Sequence, residues 1–263
     1  MSDEYKTIQY TVDDRVATIM INRAERRNAL NNQVIDELTS ALNNARVDGD
    51  VNVVVLTGAG ERAFSAGGDL SPSGGMGGGM LGMHWDRGGF ADLLLTFKKV
   101  GKPIVGRING DALGGGFGLL LACDIAIASE KARVGCPEIN VGLFPMMIMA
   151  LIFRNVPRKF GVEMMLTGKK FGSDKALEYG MVNSVVPADE LDAAVGDMVN
   201  TLKSKSPAIM RLGLNAFHTM SDMSMEEALR YLHGCLTLNT MAEDAAKSMI
   251  AFIQKREPEW KGR

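Results

Sequence analysis

Short apolar runs alternating with helical stretches mark this 263-residue chain as α/β, with an all-helical C-terminal part. Valine-rich runs such as Val51–Thr57 have the look of buried parallel strands. Amphipathic segments separate them, and after about Asp189 only helical periodicity remains. No break in composition marks a linker, no fixed-period repeat is present, and α/β chains of this length often form one domain.

Thr7–Val12 and Arg15–Asn22 are expected to pair as a hairpin around Asp13-Asp14. Val34–Ala45 places Val34, Ile35, Leu38, Ala41 and Leu42 at helical spacing. The strand over Val51–Thr57 follows. Ala91–Val100 is a helix, Pro103–Asn109 a strand, Leu113–Ala122 a glycine-rich helix and Asp124–Ala128 a strand. Met146–Arg154 and Gly161–Leu166 are helical. Ser173 is placed to cap a helix through Tyr179, with Gly180 just past its end. Val182–Val186 returns as a strand.

The 29 basic and 31 acidic residues leave a net charge of −2. That argues against binding of nucleic acid or anionic membranes through bulk charge. Cys123, Cys136 and Cys235 form no CxxC, so neither a disulfide framework nor a zinc knuckle is signalled. His84, His218 and His233 lack metal-ligand spacing, and no metal is expected. The charged N-terminus has no apolar leader. The longest apolar run, Met146 to Phe153, is too short to span a bilayer. A cytoplasmic protein is the expectation.

Glycine is in excess, 30 of 263, and nineteen of the thirty fall between Gly58 and Gly118. Gly77-Gly78-Gly79-Met80-Leu81-Gly82 matches the GxGxxG of dinucleotide sites. It follows Ser71-Pro72-Ser73 rather than an apolar strand, so a mobile loop is the better reading. His84, Trp85, Asp86 and Arg87 then belong at a pocket mouth or on an exposed loop tip. Phe64-Ser65-Ala66-Gly67-Gly68-Asp69-Leu70 comes shortly after a strand, and Leu113-Gly114-Gly115-Gly116-Phe117-Gly118 runs from a second strand into a helix. Two such turns at the ends of neighbouring parallel strands can aim two backbone N–H groups at one oxygen, an oxyanion hole. Tight helix–strand packing explains the same glycines equally well. Glu138, a lone carboxylate just ahead of apolar residues, is either a proton carrier with a raised pKa or a solvated loop residue.

Taken in order, these segments resemble the enoyl-CoA hydratase/isomerase (crotonase) superfamily over nearly the whole chain. The similarity runs through Asn22–Leu30, Phe64–Leu70, Asn109–Gly116, Cys123–Ala128, Gly135–Glu138, Leu166–Gly168 and Ala251–Arg256. The resemblance implies a spiral of ββα units over residues 1–200 and a helical trimerisation region over 201–263. It also implies homotrimers or dimers of trimers, and acyl-CoA thioester substrates with no separate cofactor. By position, the Gly68 and Gly115 N–H groups would be the oxyanion donors and Glu138 the acid/base. The Ala66 carbonyl would meet the CoA adenine, Arg26 and Arg27 would lie near its phosphates, and Phe252 and Lys255 would reach it from a neighbouring subunit. Met146, Phe144 and Trp85 would line the acyl pocket.

One position departs from the pattern. Hydratases of this superfamily use two glutamates, and the first matches Gly118 here. A single glutamate suits a proton shuttle that moves a double bond from 3-enoyl to 2-enoyl, and hydration remains the commoner family activity. The alternatives are decarboxylation, dehalogenation, thioester hydrolysis, a non-catalytic acyl-CoA-binding member, or a nucleotide-binding oxidoreductase built on the GxGxxG match.

Overall fold

A computed structural model describes residues 5–70 and 79–263, and for residues 79–87 the backbone alone. Strands β1 (Ile8–Asp13) and β2 (Val16–Ile21) form the expected hairpin. Asp14 and Arg15 turn it with φ of 42° and 65°, the two left-handed residues that a tight right-twisted hairpin needs. Helix α1 (Asn32–Val47) starts where the Asn31 side chain accepts the Val34 N–H. Its buried stripe is Val34, Ile35, Leu38, Ala41, Leu42 and Ala45, as the periodicity requires.

From there the chain repeats one device. A longer strand is followed by a three-residue strand and then by helical structure: β3 (Val53–Gly58), β4 (Ala63–Ser65) and α2 (Gly79–Phe97), then β5 (Ile104–Ile108), β6 (Asp111–Leu113) and α3 (Gly115–Ala122). The third round is β7 (Ile125–Ser129), β8 (Arg133–Gly135), a 3-10 turn at Pro137–Val141, α4 (Met149–Asn155) and α5 (Arg158–Thr167). This is the spiral of ββα units. β9 (Lys170–Gly172), α6 (Ser173–Glu178), β10 (Ser184–Val186), α7 (Leu191–Lys203), α8 (Pro207–Met220), α9 (Met225–Met241) and α10 (Glu243–Ile253) complete the chain.

Two sheets result. The longer strands make a six-stranded sheet in the order β1-β2-β3-β5-β7-β10, parallel from β2 onward. The short strands make a second sheet, β4-β6-β8-β9, whose first three strands are parallel. One face of the large sheet packs into the main core with α1, α2 and α3; Val53, Val55, Val105 and Ile127 on the other face meet Leu191, Val195 and Val199 of α7. Cover on both faces is why β3 reads as a continuous apolar run.

Several expectations need correction. The second sheet was not anticipated, because three-residue strands carry too little pattern to register. The stretch expected as a loop to Gly89 is helical from Gly79 onward, in the first turns of α2; residues 71–78 lie outside the described structure. The helix expected from Met146 begins at Met149. Ser173 is no cap: its hydroxyl donates to the Glu130 carbonyl at 2.7 Å, and Gly172 holds the cap position. Gly180 does sit past the helix end with φ +71°. Residue 200 falls inside α7, which packs on the sheet, so helices packed mainly on one another begin only with α8. Among the described residues no helix is long and apolar enough to cross a membrane.

Candidate functional site

Three loops meet because β4, β6 and β8 are parallel neighbours. Gly67 and Gly68 follow β4, Gly114 and Gly115 follow β6, and Glu138 lies three residues beyond β8. All three leave from carboxyl ends of adjacent strands, where α/β sheets present their sites. The strands that carry these loops belong to the short sheet, not to the valine-rich one.

The glycines of the two loops divide by what surrounds them. Gly67 has φ +89°, and a Cβ there would lie 2.7 Å from the Leu113 carbonyl oxygen and 3.1 Å from the Gly115 nitrogen. A Cβ on Gly116 would lie 2.3 Å from the Ser65 carbonyl oxygen. Those two residues let the loops touch. Gly68 and Gly115 lie beside that contact, and a Cβ on Gly68 would meet nothing within 4 Å. The Leu30 N–H donates to the Gly67 carbonyl at 2.8 Å, and the Asp69 N–H donates to the Leu30 carbonyl at 2.9 Å. Gly68, between them, therefore turns its own N–H away from Leu30. Gly115 is the first residue of α3, where an N–H has no intrahelical acceptor. Gly114, with φ +52°, makes the turn into that helix.

The Asn22–Leu30 segment braces this arrangement, a role that sequence reading did not assign. Asn28, fully buried with φ 55°, donates from Nδ2 to the carbonyls of Ala59 (3.0 Å) and Ala63 (2.8 Å) and accepts the Arg23 N–H. Its own carbonyl accepts the Ser65 hydroxyl at 2.8 Å. Arg23 donates to the Ala29 carbonyl and, at 3.0 Å, to Asp69 Oδ2. The Ala66 N–H donates to the Arg27 carbonyl at 2.9 Å. The Arg26 and Arg27 side chains are exposed beside this loop. Replacing Asn28 by Ala takes the Nδ2 donor from the part-buried Ala59 carbonyl and leaves the Ala63 carbonyl only the 3.3 Å contact from Asn109 Nδ2, and is expected to lower stability by about 1–3 kcal/mol in urea denaturation.

Glu138 is half-buried, and burial holds its carboxyl above the usual carboxylate range. Oε2 is buried without a hydrogen-bond partner among the described residues. Oε1 sits against Gly114, where a Cβ would come within 2.7 Å of it. The carboxylate therefore rests directly on the turn that leads into Gly115. Neighbouring Cys136 is buried against Met164, and burial together with the Glu138 charge pushes its thiol up, away from nucleophilic use.

The other expected residues are less converged. Phe144 is partly buried on the main core, while Met146 is 66% exposed. Trp85 lies on α2, with its side chain outside the described residues. Ile148, which sequence reading did not single out, is buried over Gly118: a Cβ at 118 would lie 2.4 Å from Ile148 Cγ2. Phe252, 83% exposed, and Lys255 stand at the far end of the chain on and just after α10. Phe252 borders a cavity of about 480 Å³ with Ile209, Met210, Asp244, Met249 and Trp260; no residue of the Glu138 loop lines it.

The family model for enoyl-CoA hydratase/isomerase matches residues 11–263. A protein named probable enoyl-CoA hydratase from Mycobacterium tuberculosis is 32% identical over 260 residues, covering 97% of this chain and 98% of the relative. The carnitinyl-CoA dehydratase of Escherichia coli is 32% identical over 263 residues, covering 98% and 99%. The crystal structure of an enoyl-CoA hydratase from Mycobacterium smegmatis superposes with a TM-score of 0.92 at 31% identity, covering 97% and 99%.

Proposed function

Because the chain belongs to the enoyl-CoA hydratase/isomerase family, we propose that it acts on an enoyl-CoA thioester with Glu138 as its single acid/base and the Gly68 and Gly115 N–H groups as oxyanion donors. The observation that carries this reading is the half-buried Glu138 carboxylate, its Oε2 without a hydrogen-bond partner among the described residues, resting on the Gly114 turn one residue from the Gly115 N–H.

The preferred reaction is double-bond isomerisation. Glu138 removes a proton from C2 of a 3-enoyl thioester. The C–H electron pair moves into the C1–C2 bond, and the carbonyl pair moves onto the thioester oxygen. Two backbone N–H groups stabilise that oxygen, each worth about 10²–10³ in rate. Glu138 then returns the proton to C4, the double bond shifts to C2–C3 and the carbonyl re-forms. A carboxylate can perform the first step only because the enolate charge is held and because burial has raised its proton affinity.

The Ala66 carbonyl and the exposed Arg26 and Arg27 are assigned to the CoA end of the substrate, with Met146, Phe144 and Trp85 at its acyl end. Phe252 and Lys255 serve the CoA of an adjacent subunit in a homotrimer or dimer of trimers. Exposed Leu229, Leu236 and Met241 on α9, with Ile250 and Ile253 on α10, support that assembly.

Hydration or dehydration is the second reading, favoured by the names of the relatives. Matched 2-enoyl- and 3-enoyl-CoA thioesters decide between them. Faster conversion of the 3-enoyl isomer is expected; hydration alone would select the second reading. Calorimetric CoA binding without turnover of any thioester would overturn both.

A further inference from the structure

We propose that Ile148 is a specificity-determining residue: by occupying the space over Gly118 it keeps the wall one helical turn beyond Gly115 apolar and free of a second proton carrier. The proposal rests on the assignment of Gly115 and Glu138 given above.

Gly115 and Gly118 are three residues apart on α3 and so share a face. Phe90 Cζ lies 3.5 Å from a Cβ built at either position, which places both under the same ring. Beside Phe90 the wall is Ile148. Its Cγ2 is 2.4 Å and its Cβ 3.3 Å from a Cβ at 118, so any side chain at 118 collides with the base of Ile148 and not with a flexible tip. Ile148 has little room to give way. It is 3% exposed, it is β-branched and stiff at χ1, and its carbonyl accepts the Leu151 and Ile152 N–H groups at 2.9 Å each. Smallness at 118 and bulk at 148 are thus two halves of one fit. Glycine at 118 does more than omit a carboxylate, because the room for that carboxylate is filled by hydrocarbon. Of the other polar groups at these loops, Asp69 is held by Arg23. Among the described residues Glu138 is left as the proton carrier, and a water opposite it has no polar side chain of residues 118 or 148 to orient it.

The test compares parent, Gly118→Glu, Ile148→Ala and Gly118→Glu/Ile148→Ala as full chains. The readouts are thermal unfolding and the ratio of 2-enoyl-CoA hydration to 3-enoyl-CoA isomerisation. Gly118→Glu alone is expected to lose both stability and activity. The paired variant is expected to recover folding and to raise the hydration ratio about tenfold or more over the parent, on the scale of what a few pocket atoms decide. A folded paired variant with the parent's ratio overturns the proposal. If the pair does not fold, Ile148→Ala alone decides. It is expected to shift acyl preference toward chains one or two carbons longer or branched, by about tenfold in relative kcat/KM; unchanged preference overturns the proposal. Glu138→Gln in the same assay separates the two ideas. Full activity there removes the Glu138 assignment, whereas an inactive Glu138→Gln beside an unchanged ratio removes only the role of Ile148.

Discussion

Glu138→Gln is expected to lower turnover of every active enoyl-CoA thioester by about 10²–10⁴-fold, the usual contribution of a positioned acid/base. Glutamine keeps the shape of the side chain and loses the proton. The fold should survive, because Oε2 makes no hydrogen bond among the described residues that glutamine would break. Parent-like turnover on any substrate would remove Glu138 from the mechanism.

The pH dependence follows from the same burial. The folded-state pKa of Glu138 is raised, so the proton is held more tightly in the folded chain than in the unfolded one. Its contribution to stability is therefore full below the unfolded carboxylate pKa and is lost as pH rises through the folded value. At neutral pH the ionised group carries the cost of its partial burial, which its own backbone N–H offsets only in part. Glu138→Gln should thus raise Tm relative to the parent at neutral pH, and the difference should vanish near about pH 4, where the parent is protonated. The parent's kcat/KM for proton abstraction should rise through an apparent pKa above the ordinary carboxylate value, and the variant should lack that limb. A Tm difference that is the same at both pH values would show that the carboxylate is solvated.

Gly115→Pro is expected to cost about 10²–10³-fold in kcat with the helix retained, the size found for loss of one oxyanion donor. Proline is well suited to the first helical position: its missing N–H has no intrahelical acceptor there, and its fixed φ is helical. The added Cβ meets Leu30 Cδ1 at 3.2 Å and Phe90 Cζ at 3.5 Å, ends of side chains that can yield. Gly115→Ala is the control, since it adds the same first carbon and keeps the donor. If proline and alanine variants lose activity equally, the N–H is not the group that matters. Gly67→Ala is a different case. With φ +89° and the Leu113 carbonyl 2.7 Å from its Cβ, it should fail as a fold defect, visible as lost Tm before any kinetic assay.

The α/β class, the hairpin, the buried stripe of α1 and the valine-rich strand were legible because each repeats one residue type at one period over six or more residues. The family was legible too, from the order of the motifs around Gly68, Gly115 and Glu138, although each residue type by itself left two readings open. The convergence of the three loops was not. It depends on β4, β6 and β8, three residues each, which have no period to read, and on a parallel pairing between segments 22 to 48 residues apart in the chain.

Sequence alone settled which residue types stand at the three loops and that position 118 carries no carboxylate. The tertiary structure decided what each glycine does. Adjacent glycines have identical side chains, and only the neighbouring chain separates Gly67 and Gly116, which make the loop contact, from Gly68 and Gly115, whose N–H groups the contact leaves available. It also decided why Gly118 is glycine. The reason is a methyl group thirty residues away at Ile148, and excluded volume between distant residues leaves no trace in local pattern.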